Sequence, residues 1–140
     1  MRIVLGTNAV LAAMRSPTGA SAAILTAARR GQVPLLANVA LALEYEAVCQ
    51  RPEHAAAAGL TPREVSIFLD AVIGMVEPVE SHFMWRSLLR DPADELVLEA
   101  AANGRAVAIV TFNQRDFGAV PLQFGVEVLM PAAALRRIRV

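Results

Sequence analysis

The sequence predicts an α/β domain with a mainly parallel central sheet. Short apolar runs such as RIVLG and AVAIVTF have the length of strands that are buried on both faces. Helical patterns separate these runs, and alternating strands and helices are typical of βα units whose helices cover both faces of a sheet. With 140 residues, the chain has the size of one domain, so we predict a single domain over residues 1–140.

Composition excludes several classes of protein. The chain is 56% hydrophobic and only 19% charged, which is far from the composition of a disordered protein. No apolar run reaches the roughly 20 residues of a membrane span, and the first residues lack a signal-peptide pattern. We therefore expect a cytoplasmic protein with no membrane partner. Because Cys49 is the only cysteine and net charge is zero, disulfide frameworks are excluded and any nucleic-acid site must be local.

The first half of the chain alternates between strand and helix patterns. Gly31 stops one helix that carries basic residues in its last turn, and Asn38 is a good N-cap for the next. That second helix, VALALEYEAVCQ, should end before Pro52. In chain order we predict a strand over 2–6, a helix over 8–14, a loop over 16–19, a helix over 21–30, a strand over 33–37, a helix over 39–50 and a helical piece over 54–59.

The second half contains the two clearest helix starts. Thr61 and Glu64 form a capping-box pattern around Pro62, and Asp91 is an N-cap in front of Pro92. The connector 79–90 has no clear pattern. We predict a helix over 62–73, a strand over 75–78, a helix over 92–103, a strand over 106–112, a polar turn over 113–116, a strand over 126–130 and a helix after Pro131.

Carboxylates concentrate where such a sheet binds its ligands, beyond the carboxyl ends of the strands. Three of only four aspartates lie at strand–helix junctions, with Asp94 in a first helical turn and Asp116 just after the strand AVAIVTF. Glu44 lies in the middle of a mostly apolar helix. Oxygen ligands of this kind suit Mg²⁺ or Mn²⁺.

Four segments, RIVLGTN, LALEYEAV, RDPADELVLEAA and AIVTFNQRDF, follow one another along nearly the whole chain. In these segments the sequence resembles the PIN-domain family, and in particular the PIN-type, VapC-like toxin components of bacterial toxin–antitoxin systems. The resemblance implies an α/β/α sandwich with a parallel sheet. It also implies a cluster of acidic residues that holds Mg²⁺ or Mn²⁺ for the hydrolysis of single-stranded RNA.

Position by position, the resemblance assigns metal-site roles to Glu44, Asp94 and Asp116, and makes Asn8, Thr111 and Asn113 polar supports of the catalytic site. One position departs from the family pattern. The family's first strand ends in a motif like VLDTN, and Gly6 stands here in place of its aspartate. Natural loss and deliberate inactivation both fit such a change. Because the missing anion is central, we expect this form to have impaired activity.

Structural roles compete with these assignments. Asp91 is interpreted as a helix cap only, and Asp94 with Glu95 could merely favour the positive end of the helix. Asp116 could be an ordinary turn residue, in which case Asn113 would replace it in the metal shell.

Glu44 and Glu46 could both lie on a solvated face of their helix. Glu44 is one helical turn from Val48, so we expect its carboxylate to face the sheet. Arg15 and Arg115 should lie near the carboxyl edge of the sheet and are candidates for RNA phosphate contacts, although exposed arginines are usually only solvated.

The remaining histidines, Cys49 and the aromatic residues are expected to have no catalytic role. His54 and His82 have no partner at metal-binding spacing, and Cys49 should be a small buried hydrophobic residue. The aromatic cluster Phe83–Trp85 is expected in the core, with a partner contact as the alternative.

These observations favour a metal-dependent endoribonuclease toxin of a type II toxin–antitoxin system, with impaired activity. The alternative is a non-catalytic PIN scaffold that binds RNA or an antitoxin peptide. A nucleotide-binding α/β domain is a weaker third hypothesis, since no glycine-rich phosphate motif follows the first strand. The segments HAAAAG and HFMW suggest exposed apolar patches. With the resemblance, they predict a homodimer and a cognate antitoxin whose basic tail enters the acidic cleft.

Overall fold

The computed structural model describes residues 1–81 and 88–139. These residues form five short strands, eight α-helices and one 3₁₀-helix over Val120–Phe124. The strands are β1 (Ile3–Leu5), β2 (Leu35–Ala37), β3 (Val76–Pro78), β4 (Ala108–Val110) and β5 (Glu127–Leu129). The helices are α1 (Thr7–Arg15), α2 (Ala20–Arg29), α3 (Val39–Cys49), α4 (Pro52–Ala58), α5 (Pro62–Met75), α6 (Pro92–Asn103), α7 (Gln114–Phe117) and α8 (Pro131–Arg139).

The five strands form one parallel sheet in the order β3-β2-β1-β4-β5. Ile3 in β1 lies opposite both Leu35 and Ala108, so β1 is the central strand. β1, β2 and β4 are completely buried, which explains their continuous apolar sequences. The chain passes from β1 to β2 and β3, then returns past β1 to form β4. The strand order therefore reverses between β1 and β4.

Helices cover the sheet in the manner of an α/β/α sandwich, as the sequence predicts. α6 packs across β1, β2 and β4, whereas α1 packs against α2 and α3. α2 also packs against α8, the last helix. The mainly parallel sheet of the prediction is confirmed, and all four strand pairings are parallel.

Helix caps form where the local sequence predicts them. The Glu64 amide donates to Thr61 Oγ1 at 3.2 Å and the Thr61 amide donates to Glu64 Oε1 at 3.0 Å, which completes the capping box of α5. These bonds lower the pKa of Glu64. Asn38 accepts from the Leu41 amide at 2.8 Å, and Asp91 accepts from the Ala93 amide at 2.9 Å.

Element boundaries differ from the sequence predictions in several places. Each strand is limited to the three residues that pair in the sheet, so the runs 2–6, 33–37 and 106–112 are shortened at their ends. The predicted turn at 113–116 is the start of α7, because the Asp116 amide bonds the Asn113 carbonyl at 3.1 Å and begins a helical turn. The 3₁₀-helix that follows α7 was not predicted.

Two further expectations can be compared with the structure. Cys49 is fully buried in the apolar core, as expected, and burial raises the pKa of its thiol to about 11. Within 1–81 and 88–139, no helix is both long enough and apolar enough to cross a membrane. His82 and the aromatic cluster Phe83–Trp85 lie outside the described residues, as does the segment HFMW.

Candidate active site

The candidate site lies where the strand order reverses, at the carboxyl ends of β1 and β4. Gly6 directly follows β1 and its amide donates to the Val110 carbonyl of β4 at 2.8 Å. Thr111 directly follows β4 and is 1% exposed. Parallel α/β sheets bind ligands in the crevice at such a switch point. The topology thus brings residues that are more than 100 positions apart into one crevice.

A polar network joins the two strand ends. Thr111 Oγ1 lies 3.2 Å from Asn8 Nδ2 and 3.3 Å from Asn8 Oδ1. Asn8 Oδ1 also accepts from the Phe112 amide at 3.4 Å, and Thr111 Oγ1 accepts from the Asn113 amide at 3.0 Å. The network therefore holds Asn8 and Thr111 side by side, while the Asn113 side chain is exposed. Their roles as polar supports of a catalytic site stay predictions.

The backbone of Gly6 can accommodate a side chain. Its φ of −63° and ψ of 153° are extended values that any residue adopts. A Cβ atom there would lie 3.3 Å from Thr111 Cβ and Oγ1 and 3.4 Å from Asn8 Oδ1. These contacts require the neighbours to shift by only a few tenths of an ångström. A side chain at position 6 would thus be attached next to Asn8 and Thr111, at the end of β1.

Next to Gly6, the side-chain oxygen of Thr7 is buried and has no hydrogen-bond partner among the described residues. A buried hydroxyl without a partner is costly and uncommon in folded proteins. The sequence pattern does not identify Thr7 as a site residue. Its position beside Gly6 marks this strand end as a place where polar groups converge without complete pairing.

Asp94 and Asp116 lie close enough for their charges to interact. Partial burial of Asp94, together with the nearby carboxylates of Asp91 and Asp116, raises its pKa from the ordinary 3.8 to about 6. Asp91 is the N-cap of α6, which confirms its structural interpretation. Asp116 is exposed on α7. The structure therefore places two of the three predicted metal ligands in one electrostatic cluster.

Glu44 lies beside the completely buried face of α3, and the expectation that its carboxylate faces the sheet stays a prediction. The face of α3 that is completely buried contains Leu41, Tyr45 and Cys49, whereas Glu44 is only half-buried. These three residues are four positions apart, so they lie on one side of the helix, which faces inward. Glu44 is the neighbour of Tyr45 in the sequence and therefore projects from a different side of the helix. α3 packs against α6, the helix that carries Asp94. Glu44 as a metal ligand stays a prediction.

Tyr45, which the sequence reasoning missed, connects α3 to the site. Its hydroxyl donates to the carbonyl oxygen of Leu5 at 2.5 Å, immediately before Gly6. Burial, followed by the nearby Cys49, raises the pKa of the phenol, so the hydroxyl remains a donor at neutral pH. In the sequence, the spacing of four between Leu41, Tyr45 and Cys49 indicates that Tyr45 lies on the inward face of α3.

The two candidate arginines lie in different places. Arg115 is exposed on α7, next to Asp116 and beyond the carboxyl end of β4. The expectation that Arg15 lies at the same edge is wrong, because residues 7–15 form a helix and Arg15 is its last residue. A helix of nine residues is about 13 Å long and leads away from the strand end. Contact of either arginine with RNA stays a prediction.

The donor set does not form a complete divalent-ion site. Among residues 1–81 and 88–139, no group of three or more histidine, cysteine, aspartate or glutamate side chains could hold a metal ion. Asp94 and Asp116 supply an acidic pair, but position 6 supplies no side-chain oxygen. The resemblance implies a carboxylate at position 6 in addition to Glu44, Asp94 and Asp116, so the residues present do not fit the complete set.

Comparison with protein families decides the identity of the fold. The family model described as PIN domain matches residues 2–115 of the 140. The chain belongs to the PIN-domain family. The match includes both strand ends and the acidic start of α6, and it ends one residue before Asp116. No curated protein and no solved structure matches the chain.

Membership of the family indicates which chemistry the switch-point crevice generally supports. PIN domains are generally nucleases, and PIN-domain nucleases typically use divalent metal ions. The switch point of this PIN domain has a polar network, with glycine where a side chain would point towards both Asn8 and Thr111. Asp94 and Asp116 form an acidic pair at the start of α6 and on α7. The site thus combines a nuclease framework with an incomplete donor set.

Proposed function

We propose that this PIN domain is an endoribonuclease toxin of a type II toxin–antitoxin system whose cleavage of single-stranded RNA is impaired by Gly6. The observation that carries the proposal is the direction of a Cβ at position 6, which lies within 3.4 Å of both Thr111 and Asn8. The chain also keeps the polar pair Asn8 and Thr111 and the acidic pair Asp94 and Asp116, which support the proposal.

Each retained residue has a role that its geometry supports. Asn8 and Thr111 fix the ends of β1 and β4 relative to each other through their hydrogen bonds. Tyr45 fixes the last carbonyl of β1 from the side of α3. Burial, followed by the negative charges of Asp91 and Asp116, raises the pKa of Asp94, and this concentration of carboxylates favours a cation nearby. These positioning roles do not depend on the residue at position 6.

Mg²⁺ or Mn²⁺ is the proposed cofactor of a restored form. With an aspartate at position 6, Asp94, Asp116 and Glu44 are the proposed ligands and partners of that carboxylate. A bound divalent ion would neutralise charge on the phosphate and activate water. Because the present chain does not fit a complete site, we assign it no hydrolytic step that depends on the ion.

Parallel assays of the chain and of Gly6→Asp test the proposal. Both proteins are incubated with end-labelled single-stranded RNA and Mn²⁺, with EDTA controls and with Gly6→Asp/Asp94→Asn as a matched variant. We expect Gly6→Asp to cleave RNA at a rate about 100-fold or more above that of the chain as given, because a central charge-stabilising group is restored. Equal rates for the parent and Gly6→Asp would refute the proposal.

A non-catalytic PIN scaffold that binds RNA or an antitoxin peptide is the second candidate. The absence of a three-residue ligand group within the described parts of the chain favours it. RNA binding by both proteins without cleavage by either would support this scaffold function.

We also propose two protein partners. An antitoxin with an arginine- or lysine-bearing tail would pair its cation with Asp94 and Asp116, where like charges already repel. That tail should bind Gly6→Asp more tightly than the parent at low salt. A homodimer is supported by exposed apolar side chains one turn apart on α3, namely Val39 and Leu43. Light scattering tests the dimer, and a monomeric mass would refute it.

A further inference from the structure

The charges of this neutral chain are strongly segregated along the sequence. All 13 acidic residues lie between Glu44 and Glu127, so residues 1–43 and 128–140 contain none. Those two acid-free segments contain seven of the 13 arginines. A net charge of zero therefore conceals two regions that are purely basic.

The fold joins these two regions. The first contains α1 and α2, the second contains α8, and α2 packs against both of the other helices. Arg137 of α8 forms two hydrogen bonds with the Glu127 carboxylate, at 3.1 and 2.8 Å. Arg30 and Arg139 have no acidic partner in the described part of the chain and are exposed. Unpaired guanidinium groups thus accumulate on one face.

A polar cavity of about 260 Å³ lies on this face. Its lining includes Thr18, Thr26, Gln32 and the two unpaired arginines, Arg30 and Arg139. Guanidinium groups with hydroxyl and amide neighbours are the donors that bind phosphate oxygens. No carboxylate lines the cavity among the described residues. We call this cavity, defined by these five residues, the basic cavity.

The basic cavity lies away from the candidate active site. Gln32 precedes β2, and Arg139 ends the helix that begins directly after β5. Since a helix of nine residues extends about 13 Å back from the end of its strand, Arg139 is distant from the carboxyl edge. Thr111 and Gly6 occupy that carboxyl edge. The acidic pair and the basic cavity are therefore separate surfaces of opposite charge.

We propose that the basic cavity binds backbone phosphates of single-stranded RNA and serves as an anchor outside the cleavage site. The choice of RNA rests on the proposed function, whereas the affinity for phosphate rests on the cavity itself. The acidic crevice repels a polyanion in the absence of a cation, so an anchor elsewhere would supply the initial attraction. Contacts to phosphates carry no base specificity, so binding should tolerate different sequences.

RNA binding measured in EDTA tests this anchor without any dependence on cleavage. Fluorescence anisotropy compares the parent with Arg30→Gln/Arg139→Gln and with Arg51→Gln/Arg63→Gln, which removes the same charge from the N-cap of α4 and from α5. Circular dichroism verifies folding. We expect roughly tenfold weaker binding by the first variant at low salt, and a salt slope smaller by about 1.4 for two lost phosphate contacts. The control should bind within about twofold of the parent.

Equal losses in the two double variants would overturn the proposal, because net charge alone would then explain binding. Unchanged binding by Arg30→Gln/Arg139→Gln would also overturn it, as would association of the parent with anionic phospholipid vesicles but not with RNA. Failure of the proposed nuclease function has a different signature. In that case Gly6→Asp would not cleave RNA, while the loss of RNA binding in the cavity variant would persist.

Discussion

Replacement of Asp94 by asparagine should stabilise the protein at neutral pH. The pKa of Asp94 is raised from 3.8 to about 6, so the folded state holds the proton more tightly than the unfolded chain does. Stability from this group is complete below about pH 4 and is lost as pH rises through about 6. Asparagine resembles the protonated carboxyl group and cannot lose that stability.

The size of the effect follows from the pKa difference. A shift from 3.8 to about 6 corresponds to about 3 kcal/mol for a group that is shielded from solvent. Asp94 is only partly buried, and screening reduces the expected value to about 1 kcal/mol. Asp94→Asn should therefore unfold at higher urea concentration than the parent at pH 7.5, by about 1 kcal/mol, and equal the parent near pH 4.

Urea unfolding of both proteins between pH 4 and 8, followed by circular dichroism, measures this difference. Asp70→Asn is the matched control, because Asp70 is exposed on α5 and does not contribute to the raised pKa of Asp94. The control should show no change between pH 4 and 7.5 beyond about 0.3 kcal/mol. If Asp94→Asn were less stable than the parent at pH 7.5, its charge would serve the helix terminus, and the reasoning would fail.

Three other substitutions test the geometry around the site. Tyr45→Phe should lower the free energy of unfolding, measured in urea, by about 1–2 kcal/mol, because the Leu5 carbonyl loses a buried donor. A decrease of less than about 0.5 kcal/mol would contradict this role. Asp91→Ala should cost about 1 kcal/mol as a lost cap, and should lower the pKa of Asp94 in an NMR titration. An unchanged titration would exclude the charge interaction. In EDTA, Gly6→Asp should be about 1 kcal/mol less stable than Gly6→Ala, which adds the Cβ without charge; equal melting curves would argue against an acidic crevice.

Local signals in the sequence predicted most of the fold. The Thr61 capping box and the Asp91 cap depend on residues within three positions, so the sequence alone specifies them. Strand boundaries were less accurate, because pairing across the sheet decides where each strand ends. α7 was missed for a similar reason. Its start depends on hydrogen bonds from the Asn113 and Asp116 amides, which the polar composition of that segment did not reveal.

The site was predicted in part, since its residues meet only through the topology. Asn8 and Thr111 lie 103 positions apart and come together because β1 pairs with β4. The Tyr45 bond to Leu5 joins residues 40 positions apart. The helical spacing of Leu41, Tyr45 and Cys49 indicates that Tyr45 faces inward but does not indicate its hydrogen-bond partner. Arg15 was misplaced because it was assigned to the carboxyl edge although the helix predicted over 8–14 already leads away from that edge. The charge segregation is visible in the sequence, but only the packing of α2 on α8 makes it a surface.

The central claim is that the missing side chain at position 6 leaves the acidic site of this PIN domain incomplete. Calorimetric titration with Mn²⁺ tests this claim directly in the parent, Gly6→Asp and Gly6→Ala. We predict that Gly6→Asp binds one Mn²⁺ at least about tenfold more tightly than the other two, because it alone adds a carboxylate at the carboxyl end of β1, next to Asn8 and Thr111. Equal Mn²⁺ affinities in all three proteins would contradict the account.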